Sequence, residues 1–150
     1  MKELDKAKVG MVLNHPFFAT LLLKHKFEED PSIGTMATNG KQMKYNPDFI
    51  KTLEQDHLIA VLAHECMHVS LCHHVRRGKR EPMIWNMATD FVINLILQDS
   101  NISLPEGCLL DEKYRDMTAE QVYKVLLKEA KEMGGGQGEG KCGNGGKDSE

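Results

Sequence analysis

Apolar positions fall at helical spacing from the start of the chain. Leu4, Ala7 or Lys8, and Met11 or Val12 recur over residues 2–14 and predict a short amphipathic helix, weakened by Gly10. His15-Pro16 breaks it, and Pro16 suits the first turn of another short helix through Phe17 and Phe18. The period then changes: over residues 21–28, Leu23, His25 and Phe27 alternate with Lys24, Lys26 and Glu28, the period of two of a half-buried strand, with a helix as the rival. Two β-compatible runs, residues 33–38 and 41–45, flank Asn39-Gly40, the signal for a hairpin closed by a type I′ turn. A small antiparallel sheet of about three strands is predicted.

Asn46-Pro47 ends that sheet, and Thr52 with Gln55 three residues on resembles a capping box. It opens a long helix over residues 53–77 that stops at Gly78, with Arg76 and Arg77 placed to suit its negative end. Pro82 starts a second helix running to Gln98, apolar on nearly every side and therefore expected to be buried. One face of it nevertheless carries Asn86, Asp90 and Asn94 at intervals of four. Residues 99–117 lack a clear period and read as an irregular loop. Thr118 and Gln121 form a capping box for a C-terminal helix whose buried stripe is Val122, Val125, Leu126 and Met133. Gly134 to Gly136 end it, and residues 134–150, Gly-rich and polar, read as a flexible tail or linker. The fold class is α+β, with one domain over residues 1–133.

Composition narrows the function classes. A net charge of -3 with 27% charged residues gives no basic excess for nucleic acid or an anionic membrane. No apolar stretch reaches a bilayer span, and MKELDKAKVG has no signal-peptide core, so a cytoplasmic protein is expected. Cys66, Cys72, Cys108 and Cys142 never form CxxC and are expected to be reduced thiols acting as small buried hydrophobes.

The candidate chemistry lies in HECMH, residues 64–68, inside the apolar run of the long helix. His64 and His68, four apart, share a face and can direct imidazole nitrogens at one cation. Glu65 lies about a quarter-turn round, beside such a cation as a base for its water. For the third ligand, a short turn implies an antiparallel pair of helices, with His68 roughly 15 Å and Asp90 roughly 12 Å from the turn at about 1.5 Å per residue. Asp90 is the favoured third ligand because a buried carboxylate needs a cation. Asn86 and Asn94 would then orient ligands or substrate; the alternative for all three is a polar seam between helices. His74 stands where HExxHxxGxxH proteases carry a third histidine, but Leu71 occupies the place of the Gly that turns the chain. If the helix continues, His73 and His74 point away from the His64 face. His15, His25 and His57 have no ligand spacing.

With these residues in hand, the chain resembles the zincin metallopeptidases, and more closely the metallopeptidase domain found N-terminal to von Willebrand factor A-like domains in bacterial and phage proteins. HPFF (15–18), KFEEDP (26–31), YNPDF (45–49), LAHECMHVSLCHH (62–74), WNMATDFVIN (85–94), LPEG (104–107) and MTAEQVY (117–123) carry the resemblance. It implies a zincin-like fold, a zinc ion (Zn2+) on His64, His68 and Asp90, and Glu65 as catalytic acid and base of a hydrolase acting on peptide or protein substrates. It also implies a von Willebrand factor A-like domain and an AAA-type ATPase as partners. The chain departs from the gluzincin ExxxD pattern, having Asn86 where the ligand Glu would stand and Asp90 where its supporting Asp would. An extended substrate is expected to pair with a sheet edge, the 41–45 strand being the candidate, and Tyr114 is the candidate oxyanion partner. The rival function is a non-catalytic, zinc-stabilised adaptor binding a partner protein.

Overall fold

The computed structural model describes residues 2–133, so the Gly-rich segment, Cys142 and the predicted stop at Gly134 to Gly136 lie outside the described residues. Helix α1 (Lys2–Asn14) buries Leu4, Ala7 and Met11, the spacing read from the sequence. Helix α2 spans Pro16–Leu22 rather than ending at Phe18. Phe18, Ala19 and Leu22 are all buried, a helical set three and four apart, so the apolar start of the predicted strand belongs to a helix. Strand β1 is only Lys26–Glu29, where Phe27 alone turns inward.

β2 (Met36–Thr38) and β3 (Gln42–Tyr45) form the expected antiparallel hairpin. The turn is not type I′: Gly40 has φ +93°, whereas Asn39 has no positive φ. The Asn39 carboxamide accepts the amides of Lys41 and Gln42 at 2.9 and 2.8 Å, beside the backbone bond from the Asn39 amide to the Gln42 carbonyl at 3.2 Å. The sheet is mixed, in the order β1-β3-β2, because β1 pairs with β3 in parallel. A parallel pair needs a crossover rather than a hairpin, and β2 with its flanking loops supplies it. The 41–45 strand is consequently central, and the edges are β1 and β2.

Thr52 closes α3 (Pro47–Thr52), its hydroxyl donating to the Phe49 carbonyl at 2.7 Å, so it makes no capping box with Gln55. Helix α4 is Gln55–Ser70, and every residue from Ala60 to His68 is buried, which makes it the central element. The predicted continuation to residue 77 fails at Cys72, which adopts the left-handed conformation at φ +53° and ψ +37°. After it, α5 (His73–Arg76) sets off in a new direction. Arg76 holds the break from below: Nη1 donates to the Leu71 carbonyl at 2.9 Å and Nε to Glu120 at 3.0 Å.

Helix α6 (Pro82–Asp99) is capped by the Glu81 carboxylate, which accepts the Ile84 amide at 2.8 Å. Its apolar girth serves two cores. Ile93 and Leu97 join the α1, α2, sheet and α4 cluster; Trp85, Ala88 and Leu95 join Tyr114, Ala119, Val122 and Tyr123. Full burial of each large side chain contributes about 1.5–3 kcal/mol before entropy is set against it. Helix α7 (Ala119–Glu132) carries the predicted capping box, and Val122, Val125 and Leu126 pack inward. Met133 does not: as the C-cap residue it is exposed, so the predicted stripe stops at Leu126, about two turns earlier. Among the described thiols, none of which is in a disulfide, only Cys66 is fully buried; Cys72 is exposed and Cys108 half-buried. No helix among the described residues is long and apolar enough to cross a membrane.

Because Cys72 is exposed, substitution there reports backbone conformation with little packing change. A β-branched residue is poorly tolerated at positive φ, so Cys72→Val should be about 1–2 kcal/mol less stable than Cys72→Gly in urea unfolding. Equal midpoints for the two variants would mean that residue 72 is not left-handed in solution.

Candidate metal centre

Two helices and two cores meet at one point. Helix α4 contributes His64, Glu65 and His68, and α6 contributes Asp90 and Asn94. His64 Nε2 lies 2.9 Å from Asp90 Oδ1, His68 Nε2 lies 3.2 Å from the same oxygen, and the two Nε2 atoms are 3.0 Å apart. His64 is fully buried, while the His68 and Asp90 side chains keep 11% and 14% exposure, so the cluster has its opening on their side. The sequence-predicted trio is therefore brought together, with its donor atoms facing one another.

Hydrogen bonds fix which nitrogen faces inward. Asn94 Nδ2 donates to the Leu109 carbonyl at 2.9 Å, which turns Oδ1 toward His64 Nδ1 at 3.1 Å. That oxygen can only accept, so His64 carries a proton on Nδ1 and its Nε2 is the nitrogen that faces the cluster. Asn94 thus bridges the His64 ring and the Leu109 carbonyl. Asn86 stands one turn before Asp90, half-buried, its backbone carbonyl accepting the Thr89 hydroxyl.

A divalent cation fits this donor set. Nitrogen and oxygen ligands on a tetrahedral ion at bond lengths of about 2.0–2.2 Å lie roughly 3.3–3.6 Å apart. The observed edges of 2.9 to 3.2 Å fall just inside that, within reach of small side-chain movements. A cation also resolves an electrostatic problem, since lone pairs crowded together in a buried seam repel unless positive charge lies between them. The titration behaviour expresses the same demand. Burial opposes protonation of His64, yet the Asp90 charge outweighs it and raises the imidazole pKa. Burial likewise works against the Asp90 carboxylate, but His64 holds its pKa below the usual range.

Glu65 is the second observation in favour of a cation. Both of its carboxylate oxygens are buried without a hydrogen-bond partner among the described residues. Burial pushes its pKa up to about 8, with His64 pulling down and Asp90 pushing further up. A carboxylate so placed is costly as an anion unless positive charge sits beside it. Cys66, its neighbour, is pushed up to about 12 by burial and then by Glu65, so it is no nucleophile.

The remaining sequence candidates separate. His74 is exposed, away from the cluster. His73 is not: the turn at Cys72 brings it back so that its Nδ1 lies 3.3 Å from His68 Nδ1, against the expectation that it points away. Burial, followed by the charges of His68 and Arg76, lowers its pKa to about 3, so it is neutral. The sequence signal for this, a histidine five residues after the second motif histidine, is silent without knowledge of the break. Tyr114 is buried in the second core, its ring centroid 4.8 Å from that of Phe91 at a tilt of 57°, with the Lys113 ammonium 5.0 Å from its ring. His15, His25 and His57 are half-buried elsewhere, His25 Nδ1 donating to the Leu21 carbonyl.

Two measurements check this centre. Asn94→Ala, which releases the His64 ring, should weaken metal binding about 10–100-fold in a chelator competition. The raised Glu65 pKa carries a pH signature: between the unfolded value of 4.5 and about 8 the unfolded chain has released a proton that the folded domain keeps. Stability of the chelator-treated domain should therefore be full below that window and fall as pH rises through it, and Glu65→Gln should flatten the dependence.

Neither the curated proteins nor the solved structures give a match to this chain. A family described as "Putative metallopeptidase domain" matches residues 1–150. The cluster on α4 and α6 that could hold a metal ion is consistent with such a description, and by this match over its whole length the chain belongs to that family.

Proposed function

We propose that the domain is a zinc-dependent peptidase of zincin type, with His64, His68 and Asp90 as zinc ligands and Glu65 as general base. The observation that carries the reading is the pairing of three converging donors with a fully buried carboxylate, next in sequence to one of them, that has no hydrogen-bond partner among the described residues. Two imidazoles and one carboxylate suit zinc better than magnesium or calcium, which favour all-oxygen shells. The ion would supply a water of lowered pKa and polarise the scissile carbonyl.

This chain's residues do the rest. His64 and His68, both neutral, give their Nε2 lone pairs, and Asp90 reduces the net charge of the centre. Positive charge beside Glu65 favours its carboxylate form, reversing the effect of burial. Glu65 then takes a proton from water and returns it to the departing amine, so a single carboxylate serves both halves of the hydrolysis. The exposure left on His68 and Asp90 marks where substrate enters. With β3 internal, an extended peptide seeking strand pairing would meet β1 or β2.

Glu65→Gln tests the function directly. In zinc-replete buffer it should lower kcat on a peptide library by about 10²–10⁴-fold while zinc stoichiometry stays at the wild-type value. A wild-type protein that binds zinc stoichiometrically and cleaves no peptide would instead favour the adaptor function.

A further inference from the structure

A histidine that gives its Nε2 lone pair to a cation carries its proton on Nδ1, and in a buried site that N–H needs an acceptor. For His64 the acceptor is Asn94. The group facing Nδ1 of His68 is another imidazole, that of His73, with nitrogen 3.3 Å from nitrogen and the rings nearly perpendicular at 77°. His73 is 3% exposed, and its remaining ring nitrogen, Nε2, is buried without a partner among the described residues. That is a costly arrangement for a residue serving only to fill space.

The backbone places this ring by a specific device. Left-handed Cys72 redirects the chain, and α5 is then fixed on both sides. Trp85 Nε1 donates to the His73 carbonyl at 2.7 Å, and the indole meets the His73 ring edge-on at 6.1 Å. Arg76 ties the end of the turn to Leu71 and to Glu120 on α7. The ring is therefore set by helices α6 and α7 rather than by a free side-chain rotor.

We propose that His73 is a positioning residue of the metal centre: its Nδ1 accepts the Nδ1–H of His68, locking that histidine into the tautomer and ring orientation of an Nε2 ligand. The inference rests on the reading of His64, His68 and Asp90 as metal ligands. It assigns His73 a role that neither the HExxH pattern nor the family description contains, and it gives the break at Cys72 a function. A hydrogen-bonded acceptor at this place raises the basicity of the bound ring as well as aiming it.

The test uses cobalt and zinc on the intact chain. Co2+ titrations followed by visible absorption, and zinc affinities from chelator competition, would be compared for wild type, His73→Phe and His73→Asn. Melting temperatures in chelator would separate packing losses from metal effects. His73→Phe should weaken zinc about 10–100-fold and alter the Co2+ bands. His73→Asn, whose Oδ1 can stand in for Nδ1 as acceptor, should recover most of the affinity and the wild-type spectrum. Equal losses in the two variants, or a wild-type affinity and spectrum in His73→Phe, would overturn the proposal. If His73→Phe does not fold, the His73→Asn spectrum decides: unchanged bands support the acceptor role and altered bands remove it. Failure of the underlying reading looks different, because wild type itself would then bind neither ion.

Discussion

Positive charge is what the centre of this domain requires. Two imidazole nitrogens and a carboxylate oxygen stand within 3.2 Å of one another in the seam between α4 and α6, and a second carboxylate, Glu65, lies buried beside them without a hydrogen-bond partner among the described residues. Uncompensated, such a cluster would cost several kcal/mol, comparable with the entire net stability of a small domain. The surrounding structure is arranged to supply rigid walls for it: α4 is buried along most of its length, and Asn94 and Leu109 lock the inner imidazole.

The two cores explain how that rigidity is obtained from so short a chain. Helix α6 sends one set of apolar residues into the α1, α2, sheet and α4 cluster and another into the cluster with α7, so its rotation about its own axis is determined from both sides. Fixed rotation is what keeps Asp90 and Asn94 facing α4. The second core reaches the site by another route, through Trp85 on the His73 carbonyl and Glu120 on Arg76. Helix α7 thus bears on the site although it contributes no donor atom to the cluster.

Local signals in the sequence were reliable where a few adjacent residues decide the outcome. The α1 stripe, the Thr118 and Gln121 capping box, the hairpin at Asn39-Gly40 and the Pro82 helix start all involve neighbours within four positions. Errors arose where distant groups compete for the same residues. The alternation over residues 21–28 suggests a strand starting at Leu21, yet the burial of Phe18, Ala19 and Leu22 holds Leu21 and Leu22 in a helix. Thr52 has a capping-box spacing to Gln55, but α3 claims its hydroxyl first. The parallel pairing of β1 with β3 depends on a crossover that no local pattern encodes.

The sequence by itself determined the elements of the site: a helical pair of histidines with a glutamate between them, and a buried acid on a following helix that had to be compensated. Those follow from periodicity and from the cost of burying charge, which are properties of the residues wherever they fold. Tertiary structure alone decided the break after Leu71. The apolar period runs on through residue 75, so nothing local ends α4; the ending is fixed by Arg76 reaching Leu71 and Glu120 and by Trp85 reaching the His73 carbonyl. Those partners lie up to 44 residues away in the chain. Their bonds outweigh one left-handed residue, and they turn a histidine that a continuous helix would have pointed outward into a neighbour of His68.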